Sequence, residues 1–215
     1  MKITLPDNSL RELPEGSSGY DLAKDIGPGL AKSAIAVTID GVQRDLHDAI
    51  DADASVSIIT IDSDEGVEIM RHTLTAQVLA RAIKNLYPKS KLAIGPTVQD
   101  GFYYDVESDE SISSDDLSKI EEEMKKIIKT KSAITKKLVS KKEALKIFKS
   151  NKEPYKEIII NESDQDDDFQ LYYQDDEEFV DLCRGPHLPN LGFIGSFKLT
   201  KVSGAYWKGD SKNSM

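Results

Sequence analysis

An α+β protein in two units is what the periodicity of this 215-residue chain predicts, and three observations carry it. Up to about residue 62, short apolar runs are separated by turn residues and interrupted by a single helical pattern. Past the acidic stretch Asp62-Ser63-Asp64-Glu65-Gly66 the period changes from two to about 3.6 and a long amphipathic helix begins. Beyond it, strand-like segments near residues 100–105 and up to Val139 are set between further helical patterns. The chain is long enough for one or two domains with real cores, and it shows no internal repeat.

In the first unit, Lys2 to Leu5 and Leu10 to Leu13 flank the turn cluster Pro6-Asp7-Asn8-Ser9, which predicts a hairpin. Ser18 is placed to cap a helix over Tyr20 to Ile26, and Gly27-Pro28-Gly29 should stop it. Ala34 to Ile39 and Val42 to Asp45, joined by Asp40-Gly41, predict a second hairpin, and Val56 to Ile61 a last strand. That order suits a compact mixed sheet with one helix on one face, a docking module without nucleophile, metal cluster or phosphate loop.

Residues 62–66 read as a hinge and the domain boundary, giving units 1–62 and 63–215. Leu74, Val78, Leu79, Ala82, Ile83 and Leu86 share one helical face, with Tyr87-Pro88 as its end. Ala93-Ile94-Gly95-Pro96 and Asp100 to Asp105 read as a turn leading into an aromatic strand. Leu117, Ile120, Met124, Ile127 and Ile128 mark a second amphipathic helix, followed by a strand to Val139 and a shorter helix through Phe148.

Charge is unevenly spread. The net charge of −10 argues against nucleic acid when taken whole, yet residues 119–152 carry twelve lysines against four glutamates. Such a segment is either a solvated face or a phosphate-facing surface, with Lys136, Lys137, Lys141 and Lys142 its candidates. Residues 161–178 hold nine carboxylates and no base, and the run Asp166-Asp167-Asp168 reads as a self-repelling loop rather than a magnesium site. No stretch approaches a membrane span, no signal pattern is present, and a single cysteine excludes an internal disulfide, so a reducing cytoplasm is expected.

The chemistry-bearing stretch is Asp181-Leu182-Cys183-Arg184-Gly185-Pro186-His187. Cys183 and His187 are the side-chain types that bind soft metals or hold a reactive water, and Gly185-Pro186 between them argues for a shaped loop. The plainer reading is a small buried cysteine and an ordinary hydrogen-bonded histidine, since zinc needs four partners, or three and water.

Gly95-Pro96 with Gly101-Phe102-Tyr103-Tyr104-Asp105, the pair Tyr155-Lys156, Val180 to His187, and Gly204-Ala205-Tyr206-Trp207-Lys208-Gly209-Asp210 together resemble threonyl-tRNA synthetase. Residues 1–62, with Asp25-Ile26-Gly27-Pro28-Gly29-Leu30-Ala31-Lys32, resemble its N-terminal TGS domain. The resemblance implies a small β-grasp (ubiquitin-like) domain followed by an α+β editing domain whose long helix packs beside an antiparallel sheet. Trp207 to Asp210 match the lead-in to the synthetic domain, so the chain reads as the front part of a longer enzyme. On that reading aminoacylation is absent here, ATP and zinc belong only to the missing synthetic domain, and the full enzyme is a homodimer through that missing part.

The resemblance also gives the site a reaction. Serine differs from threonine by one methyl, worth only ~1–3 kcal/mol of discrimination, so mischarging is corrected by a second, hydrolytic site. The implied substrate is the seryl ester on the terminal adenosine of tRNA(Thr), presented by its acceptor end, with water attacking the carbonyl. By the same resemblance Lys156 supplies positive charge or a proton, Asp181 holds the serine ammonium, and Cys183 and His187 position water and substrate, with Gly95 and Tyr104 in the cleft wall.

Editing domains of this type carry His-x3-His at the start of the long helix, and here the run is His72-Thr73-Leu74-Thr75-Ala76-Gln77. Matching from the left puts His72 at the first histidine; matching from the right puts Gln77 at the second, with one extra residue between. Five helical positions turn roughly 140° out of alignment, so a regular helix cannot hold both on one face. Either a π-bulge absorbs the insertion and keeps His72 in the pocket, or Thr73 and Gln77 form the i, i+4 pair and His72 lies outside. Glutamine is a poor zinc ligand, so no metal is expected. Three functions compete: a hydrolase clearing seryl-tRNA, a tRNA-binding module whose hydrolysis has decayed, and a free-standing factor acting in trans.

Overall fold

The computed structural model describes residues 1–174 and 178–204, and is mixed α+β as expected. β1 (Lys2–Thr4) and β2 (Leu10–Glu12) form the first hairpin. Helix α1 (Gly19–Ile26) starts at Ser18, whose hydroxyl accepts from the Asp21 backbone while the Asp21 carboxylate accepts from the Ser18 N–H, a reciprocal capping box. Gly27 ends α1 but does not lead into a strand. Pro28 opens a second short helix, α2 (Pro28–Ser33), because its fixed φ and missing N–H suit a first helical turn.

β3 (Ala34–Ile39) and β4 (Val42–Asp45) turn at Asp40 and Gly41, with φ of 48° and 82°, the left-handed pair that a two-residue hairpin loop requires. β5 (Ala54–Thr60) lies between the hairpins, parallel to β1 and antiparallel to β3, giving the order β2-β1-β5-β3-β4. Ile3, Leu22, Val37, Ile39, Ile50 and Val56 form the core between α1 and this sheet. β4 is an edge strand, free on its outer side to meet the rest of the chain.

The expected hinge is a tight joint. Ser63 caps α3 (Asp64–Thr73), its hydroxyl accepting from Gly66 N–H at 3.0 Å, so β5 runs almost directly into helix. Ile35, Ala36 and Ile59 of the first unit pack with Ile69 and Leu188 of the second in one buried cluster, and burying each isoleucine or leucine there stabilises the joint by ~1.5–3 kcal/mol.

The long helix has three parts: α3, a π-helical segment Leu74–Leu79, and α4 (Ala80–Leu86). All six π residues are buried, so the extra residue is absorbed inside the core rather than at a frayed end. Two short antiparallel pairs follow, β6 (Lys91–Leu92) with β9 (Val106–Glu107) and β7 (Thr97–Val98) with β8 (Gly101–Phe102). The expected aromatic strand is therefore only partly strand: Tyr103 and Tyr104 lie beyond β8 in irregular chain, Tyr103 exposed and Tyr104 turned towards Asp181.

α5 (Leu117–Lys129), β10 (Ile134–Val139) and α6 (Lys141–Ser150) match the sequence pattern. The structure adds α7 (Pro154–Glu162), with Pro154 in its first turn, and β11 (Phe169–Gln174), a buried strand between the two acidic runs. With β12 (Phe179–Leu182) these give an antiparallel sheet β10-β11-β12. One core cluster includes Leu74, Val78, Ile83, Met124 and Ile127; another joins Val139, Phe148 and Ile160 to Leu171 and Tyr173 of β11.

The lysine segment does not act as one surface. Lys136 is paired with Asp45 at 2.8 Å and Asp48 at 2.5 Å on the first unit. Lys137 lies 4.7 Å from the centre of the Tyr173 ring, and Lys141 donates to the Ser163 carbonyl at 2.7 Å. Of the four phosphate candidates, Lys137 and Lys142 are exposed, Lys142 on α6 beside Lys146 and Lys149.

Candidate active site

Two side-chain clusters meet where the long helix crosses the sheet. In the first, His72 Nε2 contacts Cys183 Sγ at 2.7 Å, and the His72 ring stacks on the His187 ring with centroids 4.6 Å apart and an interplanar angle of 11°. The π segment begins one residue after Thr73, so His72 and Thr73 both face the 183–187 loop: Thr73 Oγ1 lies 3.1 Å from His187 Nδ1 and accepts from the Leu188 N–H at 3.1 Å. Thr73 has one proton and donates it to the Ile69 carbonyl at 2.9 Å. His187 Nδ1 is then the protonated nitrogen, and Nε2, buried and without a partner among the described residues, carries the lone pair.

Burial governs the charge states here. It pushes the Cys183 thiol up to about 12 and the His72 imidazole down, the latter opposed by the charges of Asp181, Glu68 and Asp45. The pair is thus a neutral thiol against a neutral imidazole at pH 7, an arrangement that holds a water or hydroxyl better than it makes a thiolate nucleophile. Burial also drives His187 well below the ordinary histidine range, with the neighbouring His72 adding to it. Since the unfolded chain takes up protons near pH ~6.5 and the folded state resists them, this contribution to stability is complete above that pH and lost as pH falls below it. Urea midpoints should accordingly decrease between pH 7.5 and 5.5, above the carboxylate range; a flat profile there would contradict the assignment.

In the second cluster, Lys156 on α7 donates to Asp181 Oδ1 at 2.6 Å and to the Tyr104 hydroxyl at 3.0 Å, and that hydroxyl donates to Asp181 Oδ2 at 3.0 Å. The Leu182 N–H adds a fourth bond, to Asp181 Oδ1 at 2.8 Å. Lys156 and Asp181 are 3% and 1% exposed, which makes this a dry, mutually bonded triad. Burial, and then the Asp181 charge, raise the Tyr104 phenol well above its usual range. Gly95 lies under Tyr104: a Cβ there would fall 2.3 Å from the ring and 2.7 Å from Thr75 Oγ1, so the residue has to be glycine for the ring to reach Asp181.

The structure thus brings together His72, Thr73, Cys183 and His187, and beside them Tyr104, Lys156 and Asp181 over Gly95. Gln77 stands apart. Its side-chain carbonyl accepts from Gln174 Nε2 at 3.0 Å, two residues along β11 from the ring that His187 packs against, and its own Nε2 has no partner among the described residues. Both oxygens of Asp181, the residue expected to hold a substrate ammonium, are engaged, Oδ1 by Lys156 and the Leu182 N–H and Oδ2 by the Tyr104 hydroxyl, so an ammonium would share the carboxylate with these donors.

Two residues that the sequence did not single out support the loop. The Tyr172 ring meets His187 edge-on, with centroids 4.4 Å apart, and its hydroxyl donates to Asp45 Oδ2 at 2.8 Å. Asp45, on edge strand β4, also accepts the His187 backbone N–H at 2.9 Å. Nothing local marks either one, since the partners lie far away in sequence.

His72, Cys183 and His187 each offer one metal-ligand atom, all within 4.8 Å of one another. Chemically that is a three-donor set suited to zinc with water as the fourth ligand.

No helix of the described residues is long and apolar enough to cross a membrane. The model of the TGS domain matches residues 1–60, and that of the threonyl and alanyl tRNA synthetase second additional domain matches residues 170–215, which contain all of β11 but Phe169, with β12 and the 183–187 loop. The motif from Ala205 to Asp210 falls within the second match but outside the described residues. A TGS domain followed by this second additional domain is the N-terminal architecture of the threonyl-tRNA synthetases, and this chain carries it.

Proposed function

We propose that the chain is the proofreading part of a threonine-tRNA ligase, hydrolysing the seryl ester of mischarged tRNA(Thr). The observation that carries this reading is the lone pair of His187 Nε2, unpartnered among the described residues, on a histidine grouped with the Cys183 thiol, which in turn lies close to the buried Lys156 ammonium. His187 Nε2 accepts a hydrogen bond from the attacking water, and the His72–Cys183 pair fixes that water's position. Two of the three Lys156 protons are used by Asp181 and Tyr104, which leaves one for the oxyanion that forms on the ester carbonyl. Asp181 serves by holding Lys156 in place, and the departing ribose oxygen takes its proton from the water that attacked. A zinc ion on His72, Cys183 and His187 would instead supply a metal-activated water; in the proposed route each step belongs to side chains.

Replacing Cys183 by alanine and His187 by alanine tests this. Deacylation of seryl-tRNA(Thr) should fall ~10²–10⁴-fold while binding of the tRNA is retained, and a chelator should leave the unaltered chain's rate unchanged. Full activity in both variants would refute the site, and loss of activity with chelator would refute the metal-free route. A tRNA-binding module without turnover is the second reading, favoured by Gln77 being spent on Gln174 rather than facing His187.

A further inference from the structure

The structure points to a hydrolytic site shared between the two domains: we infer that Asp45 of the N-terminal edge strand is a positioning residue for His187, and that Gln43 forms part of the rim through which the aminoacyl group enters. The inference rests on the hydrolytic reading above and adds to it a role for the TGS domain that a docking module lacks.

Residues 43 and 45 lie on the same face of β4, because side chains alternate along a strand. Asp45 uses that face fully. One carboxylate oxygen accepts the His187 backbone N–H at 2.9 Å; the other accepts the Tyr172 hydroxyl at 2.8 Å and Lys136 at 2.8 Å. Tyr172 in turn packs its ring edge against the His187 imidazole. Its hydroxyl sits 1.9 Å from where a Cβ on Gly185 would be, so the loop carrying Cys183 and His187 is wrapped over the phenol. Asp45 therefore holds His187 at its backbone directly and at its ring through Tyr172.

On the far side Thr73 holds the ring nitrogen and the Leu188 N–H, and Leu188 is buried among Ile35, Ala36 and Ile59 of the N-terminal domain. His187 is pinned between the domains, with Nε2, unpartnered among the described residues, as the free end. A small cavity of about 140 Å³ adjoins His72, lined by Gln43, Glu68, Thr97, Gly185 and Pro186 among others. It has the size of an amino-acid side chain, and Gln43 is its contribution from the N-terminal domain.

The experiment uses the full chain. Asp45→Asn removes the charge from His187 and Tyr172; Asp48→Asn is the control, since Asp48 pairs with the same Lys136 and, among the described residues, makes no hydrogen bond to the loop. Single-turnover deacylation of seryl-tRNA(Thr) should slow ~10–100-fold in Asp45→Asn, with the half-saturating enzyme concentration within about twofold of the unaltered chain. The His187 amide proton resonance should shift upfield on loss of its carboxylate acceptor. Asp48→Asn should move neither. Gln43→Ala, at an exposed position, should raise the half-saturating concentration several-fold, about 3- to 10-fold, and leave the saturated rate unchanged.

An Asp45→Asn protein that matches the unaltered chain in rate, an unmoved His187 amide, or an equal loss in Asp48→Asn would overturn the positioning role. An unchanged half-saturating concentration in Gln43→Ala would remove the rim from it. If the unaltered chain does not deacylate at all, the hydrolytic reading fails separately, and the amide shift alone decides whether Asp45 holds His187.

Discussion

Lys156→Met is expected to lower the stability of the chain by ~3–5 kcal/mol and to remove its hydrolytic activity. The lysine is 3% exposed and pairs with an aspartate that is 1% exposed, so its removal leaves the Asp181 carboxylate in a dry site with only Tyr104 and the Leu182 N–H as donors. Breaking a buried pair costs more than replacing it whole, because the surviving charge has no water to return to. The double variant Lys156→Met with Asp181→Asn should accordingly be more stable than Lys156→Met alone while remaining inactive. Urea unfolding of the three proteins measures both statements, and a loss below ~1 kcal/mol in the single variant, the range of exposed pairs, would place Lys156 at the surface.

Gly185→Ala is expected to be comparably damaging by a different route. Gly185 has a φ of +64°, which an alanine adopts only at a cost of ~1–2 kcal/mol, and its new Cβ would lie 1.9 Å from the Tyr172 hydroxyl. The clash cannot be relieved by a small rotation, because the phenol is held by Asp45 and buried at 1% exposure. Overpacking of this kind adds ~1–3 kcal/mol. The loop must lift, and Cys183 and His187 lift with it, so hydrolysis should fall further than stability. Removing the hydroxyl in a Tyr172→Phe background should return part of both losses. A Gly185→Ala protein that melts and turns over like the unaltered chain would show that the loop does not depend on this contact.

Features encoded locally were legible in the sequence. Ser18 as a helix cap, the Asp40-Gly41 turn and the apolar face from Leu74 to Leu86 each declare an element within a few residues, and the structure forms all three. The residue count between His72 and Gln77 reduced the helix to two alternatives, and the π segment that keeps His72 against Cys183 is one of them. The count did not foresee that Thr73 would also face His187, or that Gln77 would be spent on Gln174.

What was not legible depends on distant partners. β11 hides between two acidic runs because its burial comes from sheet neighbours and helices, not from its flanks. α7 shows only Pro154 as a start signal, followed by three consecutive isoleucines of low helical preference. Lys136 looked like a phosphate ligand in a lysine run, yet it is paired with Asp45 and Asp48, more than eighty residues earlier. Asp45 reaches His187 across 142 residues, a separation at which no spacing rule operates.

The proposed activity is hydrolysis of a seryl ester by this pocket's own side chains. The most direct measurement presents the chain, in excess chelator, with tRNA(Thr) charged with labelled serine and, in parallel, with threonine, and follows release of the amino acid. Serine should be released well above the buffer rate, with threonine released at least tenfold more slowly. Release of serine at the buffer rate by a chain that still binds the tRNA would contradict the claim.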